Sequence, residues 1–203
     1  MTDTTDLRER RRLATRAEIE AAAIDLFAQR GSERTTVEDI AATAGVSQRT
    51  FFRYFPTKED AALDVNRVFQ EAIATRIAGS SGLPDVFEAV SAALAELSAG
   101  GSAPIDRLLR VRCLVARDDN LRRVAMNLDA EFCRANQDRI ASALGGGSEL
   151  RARVMMDTVT AAMRAALDEW AMRRQSGEDT DLVEVFRQAC AFQYEMLQSV
   201  FAR

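Results

Sequence analysis

The chain has 203 residues, 47% of them hydrophobic and 29% charged, with a formal net charge of −4. That composition is ordinary for a soluble protein with a real core, and the length leaves room for a small domain and a larger one. No apolar run approaches the roughly 18 residues of a membrane span and no apolar signal core opens the chain, so a cytoplasmic location is expected.

Residues 1–7 are polar and read as a disordered tail. Arg8, Arg10, Arg11, Arg12 and Arg16 follow, interrupted only by Glu9 among acidic residues. Such a run either tracks phosphates or a minor groove as a basic arm, with Arg12 a candidate contact, or is a solvated lead into a helix. The first helix is expected from near Thr15 to Arg30. Ala17, Ala21, Ile24, Phe27 and Ala28 lie on one face, and Gly31 ends it.

Residues 36–58, TVEDIAATAGVSQRTFFRYFPTK, hold the most informative pattern. Val37, Ile40, Ala41 and Ala44 repeat at the i, i+3, i+4, i+7 spacing of a helix with one buried face. Thr36 precedes that run with Asp39 three residues on, a capping box, and Gly45 stands where a left-handed C-cap is wanted. Ser47 then caps a second helix, with Val46 and Phe51 spaced as a hydrophobic staple. Two short helices joined around a glycine make a helix-turn-helix, whose second helix enters the major groove of DNA.

That second helix carries suitable chemistry. Phe51 and Phe55, four apart, face inward, while Arg49 and Arg53 point away with Gln48, Thr50 and Phe52 on the flanks. Arginine reads guanine through O6 and N7, and glutamine suits adenine. Thr50 is placed for a thymine methyl or a phosphate. Thr57 caps the next helix after Pro56. Lys58 in its first turn opposes the helix dipole, which makes sense if it faces a phosphate.

The stretch GVSQRTFFRYFPTKED resembles the DNA-binding domain of TetR-type transcriptional regulators, whose pattern is approximately G-V-S-x-x-T-[LF]-Y-x-Y-F-x-x-K-[ED]. The match extends back through AAAIDLFAQRG at 21–31 and TTVEDIAATAG at 35–45, about the first quarter of the chain. The resemblance implies an operator-binding dimer, usually a repressor, released by a small-molecule effector, and no enzyme. It also implies DNA contacts from Thr36, Ser47, Tyr54 and Lys58 beside the residues above. Phe52 replaces the first tyrosine of the pattern and lacks the hydroxyl that would bond a phosphate; its ring is left to meet a thymine methyl. RTFFRYFP after an arginine-rich arm is similar to an actinobacterial branch near the mycofactocin-system regulator, which implies an effector that is acyl-CoA-like or otherwise hydrophobic.

Beyond Lys58 the apolar spacing lengthens. Ala62, Val65, Phe69, Ile73 and Ile77 mark a linker helix of about five turns, to residue 78, ended by GSSGLP at 79–84. Pro84, Phe87, Val90, Leu94 and Leu97 give a helix to Ala99, and SAGGSAP at 98–104 breaks it. Another runs from Ile105 to near Arg117, and a further one over 120–144. GGGS at 145–148 is a loop. Met155, Val159, Met163, Leu167 and Trp170 mark one long helix; after SGED at 176–179, Leu182, Phe186, Ala189, Phe192, Met196 and Val200 mark the last.

The expected fold is therefore all-α with about nine helices. An N-terminal arm and three-helix helix-turn-helix domain occupy 1–57, and a larger effector-binding and dimerisation domain occupies 58–203. Residues 1–58 hold ten Lys and Arg against nine Asp and Glu, whereas 59–203 hold 17 against 22, so basic character sits at the reading end. The last two helices are apolar over more than one face, which suits a homodimer interface. The middle helices are then free to enclose an effector. Phe69, Cys113, Met126, Met155, Met156, Val159 and Met163 are candidate apolar contacts, with Trp170 as a cap. Asn66, Gln70, Arg110, Asn127 and Asp157 are candidate polar ones.

Other readings use the same features: a helix-turn-helix protein with no effector, or a helical adaptor that holds a partner protein. An enzyme lacks support, because the chain has no histidine, the commonest general base and metal ligand. Cys113, Cys133 and Cys190 are too few and too scattered for a disulfide framework or a zinc site and read as buried apolar side chains. No cofactor or metal is expected.

Overall fold

The computed structural model describes residues 3–77, 80, 82–145 and 147–201. The expectations for residues 1 and 2 of the tail, 78 of the linker helix, 79 and 81 of the breaker and 146 of the glycine loop lie outside the described residues, as does the side chain of Val200. Within them the chain is all-α, with ten helices and no strand. They are α1 (Asp3–Arg30), α2 (Val37–Thr43), α3 (Gln48–Tyr54), α4 (Lys58–Ala62), α5 (Asp64–Ile77), α6 (Leu83–Ala99), α7 (Ser102–Arg117), α8 (Asp119–Leu144), α9 (Glu149–Gln175) and α10 (Leu182–Phe201).

The chain divides into two compact units, Met1–Val65 with Leu114–Ala125, and Asn66–Cys113 with Met126–Arg203. The first unit runs to Val65 and takes in the α7–α8 corner. Side chains explain why the corner belongs there. The Asp118 carboxylate holds the N–H and hydroxyl of Ser32, and Asn120 Nδ2 donates to Glu59 Oε1 at 2.9 Å.

In the first unit, Ile19, Ala23, Ile24 and Phe27 of α1 pack in a core with Ile40, Ala41, Phe51, Phe55, Ala61, Ala62 and Leu63. The buried stripe of α1 differs from the expected one: Ala21 and Ala28 are exposed, and Ile19, Ala22 and Ala23 are buried instead. The larger isoleucine and phenylalanine side chains set the inward direction, because they gain most from leaving water, while alanine is cheap to expose. The helix also starts twelve residues earlier than expected. Residues 3–7, expected as a disordered tail, are helical together with the arginine run, since arginine and leucine are good helix formers and Arg12 pairs with Glu9 one turn back at 2.7 Å.

Each short helix has the cap its sequence proposed. The Asp39 N–H donates to Thr36 Oγ1 and the Thr36 N–H returns to Asp39 Oδ2, closing the capping box. Thr50 N–H donates to Ser47 Oγ at 3.1 Å and Asp60 N–H to Thr57 Oγ1 at 3.0 Å. Gly45 has φ +66° and the Val46 N–H returns to the Ala41 carbonyl, so α2 ends in a left-handed turn that only glycine adopts without strain.

The five-turn linker helix is not continuous. It breaks at Leu63 (φ −96°, ψ 14°), giving α4 and α5 and raising the helix number to ten. Leu63 is buried, and the next residue, Asp64, is held by both nitrogens of a fork from Arg16, at 2.6 and 2.7 Å. A bidentate pair of this kind fixes direction as well as charge and anchors the turn to α1.

The second unit is built around α9, whose Met155, Met156, Val159, Met163, Leu167 and Trp170 are buried. α10 packs along it. Trp170 Nε1–H donates to the Thr180 carbonyl at 3.1 Å, closing the α9–α10 turn, and Phe87 of α6 stacks on Phe186 of α10 at 5.2 Å. Among its described side chains, α10 is buried in its first half, through Leu182, Val185 and Phe186. Phe192 and Met196, on the recurring apolar positions of this helix, are exposed together with Tyr194 and Leu197. The cysteines are half-buried rather than fully buried, and none is in a disulfide. Burial pushes the Cys190 thiol up to about 11 and raises that of Cys133.

Candidate functional site

The first candidate surface is the outer face of α3. Phe51 and Phe55 are 0% and 3% exposed and pack at 6.1 Å between ring centres, anchoring α3 from beneath. Gln48, Arg49, Phe52 and Arg53 are exposed, and Phe52 has 55% of its surface in water although its edge meets Phe51. Arg53 lies 5.2 Å over the Tyr54 ring and its Nη2 donates to the Tyr54 hydroxyl at 3.4 Å, so the two residues present one surface. Thr50 is half-buried, its hydroxyl 3.0 Å from that of Ser47.

Several polar residues expected on DNA also have internal partners. Lys58 Nζ donates to the carbonyls of Ser32 and Thr35, at 2.6 and 2.8 Å, which ties α4 to the α1–α2 loop. The Thr36 hydroxyl is engaged by Asp39 within the capping box. Asp39 has its carboxyl held down to about 2, from an ordinary 3.8, chiefly by the Thr36 hydroxyl, then by the Thr36 N–H and Arg30. Arg12 is exposed and pairs with Glu9. Arg8, Arg11, Arg12, Thr15 and Arg16 of α1 and Arg53 and Tyr54 of α3 line one open concavity, with no carboxylate in its wall among the described residues. The arginine run thus faces the same basic surface as α3.

The second candidate is a cavity of about 50 Å³ inside the second unit, lined from α5, α6, α7, α8 and α9. Phe69, Ile73, Val90, Leu108, Phe132, Val159, Met163 and Leu167 supply its apolar wall. Asn66, Gln70, Arg112, Asp129, Thr160 and Arg164 supply the polar part. Asp129 accepts from Gln70 Nε2 at 3.1 Å and from Arg164 Nε at 3.3 Å. Burial raises its carboxyl above the ordinary range, with the Arg164 and Arg112 charges opposing. Arg112 is 5% exposed and pairs through Nη2 with Asp168 of α9.

Of the effector residues expected from sequence, Phe69, Val159 and Met163 line this cavity, with Asn66 and Gln70 among the polar ones. Met155 and Met156 are buried elsewhere in the core, Cys113 is not in the wall, and Met126 is 50% exposed. Asn127, Asp157 and Arg110 are exposed. Trp170 lies at a different concavity beside Thr180. Arg110, the expected polar contact of α7, is exposed, whereas Leu108, Val111, Arg112 and Val115 form the i, i+3, i+4, i+7 stripe of that helix and put Arg112, a charge on an apolar face, in the cavity wall. That interruption was the available signal.

Residues 19–64 match the model of the bacterial regulatory proteins of the tetR family. The HTH-type transcriptional regulator TcmR of Streptomyces glaucescens is 32% identical over 191 residues, covering 87% of this chain and 80% of that protein. The chain belongs to the TetR family of transcriptional regulators. A second relative is the putative mycofactocin biosynthesis transcriptional regulator MftR of Mycobacterium tuberculosis. It is 47% identical over 49 residues, 24% of this chain and 25% of that one. A crystal structure of Thermus thermophilus FadR, a TetR-family transcriptional repressor in complex with lauroyl-CoA, aligns at 24% identity and a TM-score of 0.47, over 86% of this chain and 90% of that one. No helix among the described residues of this TetR-family regulator is long and apolar enough to cross a membrane.

Proposed function

We propose that this TetR-family regulator is a cytoplasmic, ligand-responsive repressor that binds a palindromic operator as a dimer and is released by a hydrophobic small molecule. The observation that carries the reading is the division of α3: Phe51 and Phe55 buried, Gln48, Arg49, Phe52 and Arg53 in water. Arg49 and Arg53 read guanine edges, Gln48 an adenine, and Thr50 and Phe52 thymine methyls. Tyr54, Ser47, Arg12 and the remaining ammonium proton of Lys58 meet phosphates, while Thr36, both of whose donors go to Asp39, only fixes the start of α2.

One such helix reads only a few base pairs, so two must face successive major grooves about 34–36 Å apart, or a multiple of that. The exposed Phe192, Tyr194, Met196 and Leu197 of α10, with Leu150, Val154 and Met172 of α9, support a dimer interface through these two helices. Effector response is supported by the composition of the cavity and by chain continuity. α7 and α8 carry Arg112 and Asp129 in the cavity wall, and the corner joining these helices belongs to the DNA-reading unit. An effector that favours a different placement of α5, α7 and α8 alters reader separation, and by reciprocity DNA weakens the effector equally.

The test is fluorescence anisotropy with duplexes flanking the protein's own gene, at several salt concentrations. One palindromic segment should bind far more tightly than scrambled DNA, at two chains per site. Equal binding to all duplexes, or one chain per site, overturns the reading.

A further inference from the structure

Among the described residues, two polar groups in the cavity wall lack a protein partner. The Nε–H of Arg112 is buried without an acceptor, and Asn66 Oδ1 is buried without a donor. Buried polar groups in folded proteins are nearly always paired, so an orphan donor and an orphan acceptor in one cavity mark where ligand polar atoms belong. The neighbouring groups are already engaged: Gln70 and Arg164 with Asp129, and the Nη2 of Arg112 with Asp168.

Charge selects among ligands. The wall holds two guanidinium groups, Arg112 and Arg164, against one carboxylate, Asp129. The carboxylate paired with Arg112, Asp168, is 55% exposed on its side chain, so water screens much of its field while the guanidinium stays buried. An ammonium ligand would add a third cation to this wall. An anion completes it.

Resting on the ligand-response reading, we infer that the effector is an apolar molecule bearing an acidic oxygen group, whose anion accepts from Arg112 and whose neighbouring hydroxyl donates to Asn66. The forked, permanently charged guanidinium suits a carboxylate or an ionised enol, and Phe69, Phe132 and Met163 suit an aromatic body.

The experiment is isothermal titration of the full-length protein with three probes on one ring system: 3-hydroxy-2-naphthoate, 2-naphthol and 2-naphthylmethylammonium. The hydroxynaphthoate should bind at least tenfold more tightly than either of the others. Arg112→Leu should weaken the acid at least tenfold while leaving naphthol within about twofold, a change of preference that a merely structural arginine would not produce. Arg112→Lys, which keeps the charge, should recover part of the acid's affinity and guards against loss of fold in the leucine variant. Equal or tighter binding of the cation or the naphthol, a uniform loss of all three in Arg112→Leu, or no binding of the acid overturns the proposal.

Operator release by the same probes separates the two readings. If the acid binds through Arg112 but leaves the operator complex intact, the chemistry of the cavity stands and the ligand-response reading falls. If the ammonium probe releases operator and the acid does not, ligand response stands and the acidic effector is wrong.

Discussion

The Asp118 carboxylate accepts two hydrogen bonds from Ser32, one from its N–H and one from its hydroxyl, each at 2.9 Å. The same carboxylate accepts the Leu121 N–H at 3.0 Å at the start of α8. Burial pushes this carboxyl up, but the bonds from Leu121 and Ser32 outweigh it and hold it below the ordinary range. One side chain therefore caps a helix and fastens the α1–α2 loop across 86 residues of sequence.

Ser32→Ala removes one charge-assisted bond at a fully buried hydroxyl and should lower stability by about 1 kcal/mol. Asp118→Ala also removes a helix cap and leaves the Ser32 N–H unpaired, so about 2–3 kcal/mol is expected. Urea unfolding followed by circular dichroism checks both, as a lower midpoint at an unchanged slope.

Lys58→Met should destabilise the DNA-reading unit by about 1–3 kcal/mol, because two carbonyls lose their charged donor. Its thermal midpoint should fall before any loss of DNA affinity is measured at low temperature. A variant that melts like the parent but binds every duplex more weakly would give Lys58 a purely external role.

Asp39 supplies the clearest dependence on acid. Its folded value, about 2, lies below its ordinary 3.8, so its stabilising contribution is complete above about pH 4 and is lost as pH falls toward 2. Asp39→Asn should be less stable than the parent at pH 6, and the gap should close between pH 4 and 2. Unfolding midpoints measured across that range decide the matter; a constant gap would remove the capping carboxylate as the cause.

Arg49→Ala should reduce discrimination between operator and scrambled DNA by about 1–3 kcal/mol while changing the salt slope little. Arg11→Ala, in the basic concavity of α1, should weaken all duplexes alike and flatten the slope by about one counterion. Competition anisotropy at three salt concentrations reads both effects.

Met196→Glu places a charge on the exposed apolar band of α10. Sedimentation equilibrium should show a shift toward the monomer, and operator affinity should fall with it, while the melting of the α3 unit is unchanged. A variant that remains dimeric would move the interface elsewhere.

What the sequence made legible was local. Thr36, Ser47 and Thr57 cap the helices they precede because a cap bonds a backbone N–H within three residues, and Gly45 marks its turn through its own φ. The inward turn of Phe51 and Phe55 followed from a spacing of four. What stayed hidden was long-range. The break at Leu63 follows from Arg16 gripping Asp64, 48 positions away, and membership of the α7–α8 corner in the first unit follows from Asp118 and Asn120. Spacing favoured Met126 as a cavity residue, yet it lies off the Leu121, Ala125 and Leu128 stripe of α8 and faces water.

The cavity of about 50 Å³ is several times smaller than the ~300 Å³ at which small-molecule pockets begin. A ligand larger than this cavity needs its helical walls to move apart, and collective helix motions of that kind run on the microsecond-to-millisecond scale. Mixed rapidly with excess ligand, the protein should approach saturation at a speed that climbs with concentration and then levels off. The ceiling is set by how often the helices open, and no increase in ligand raises it.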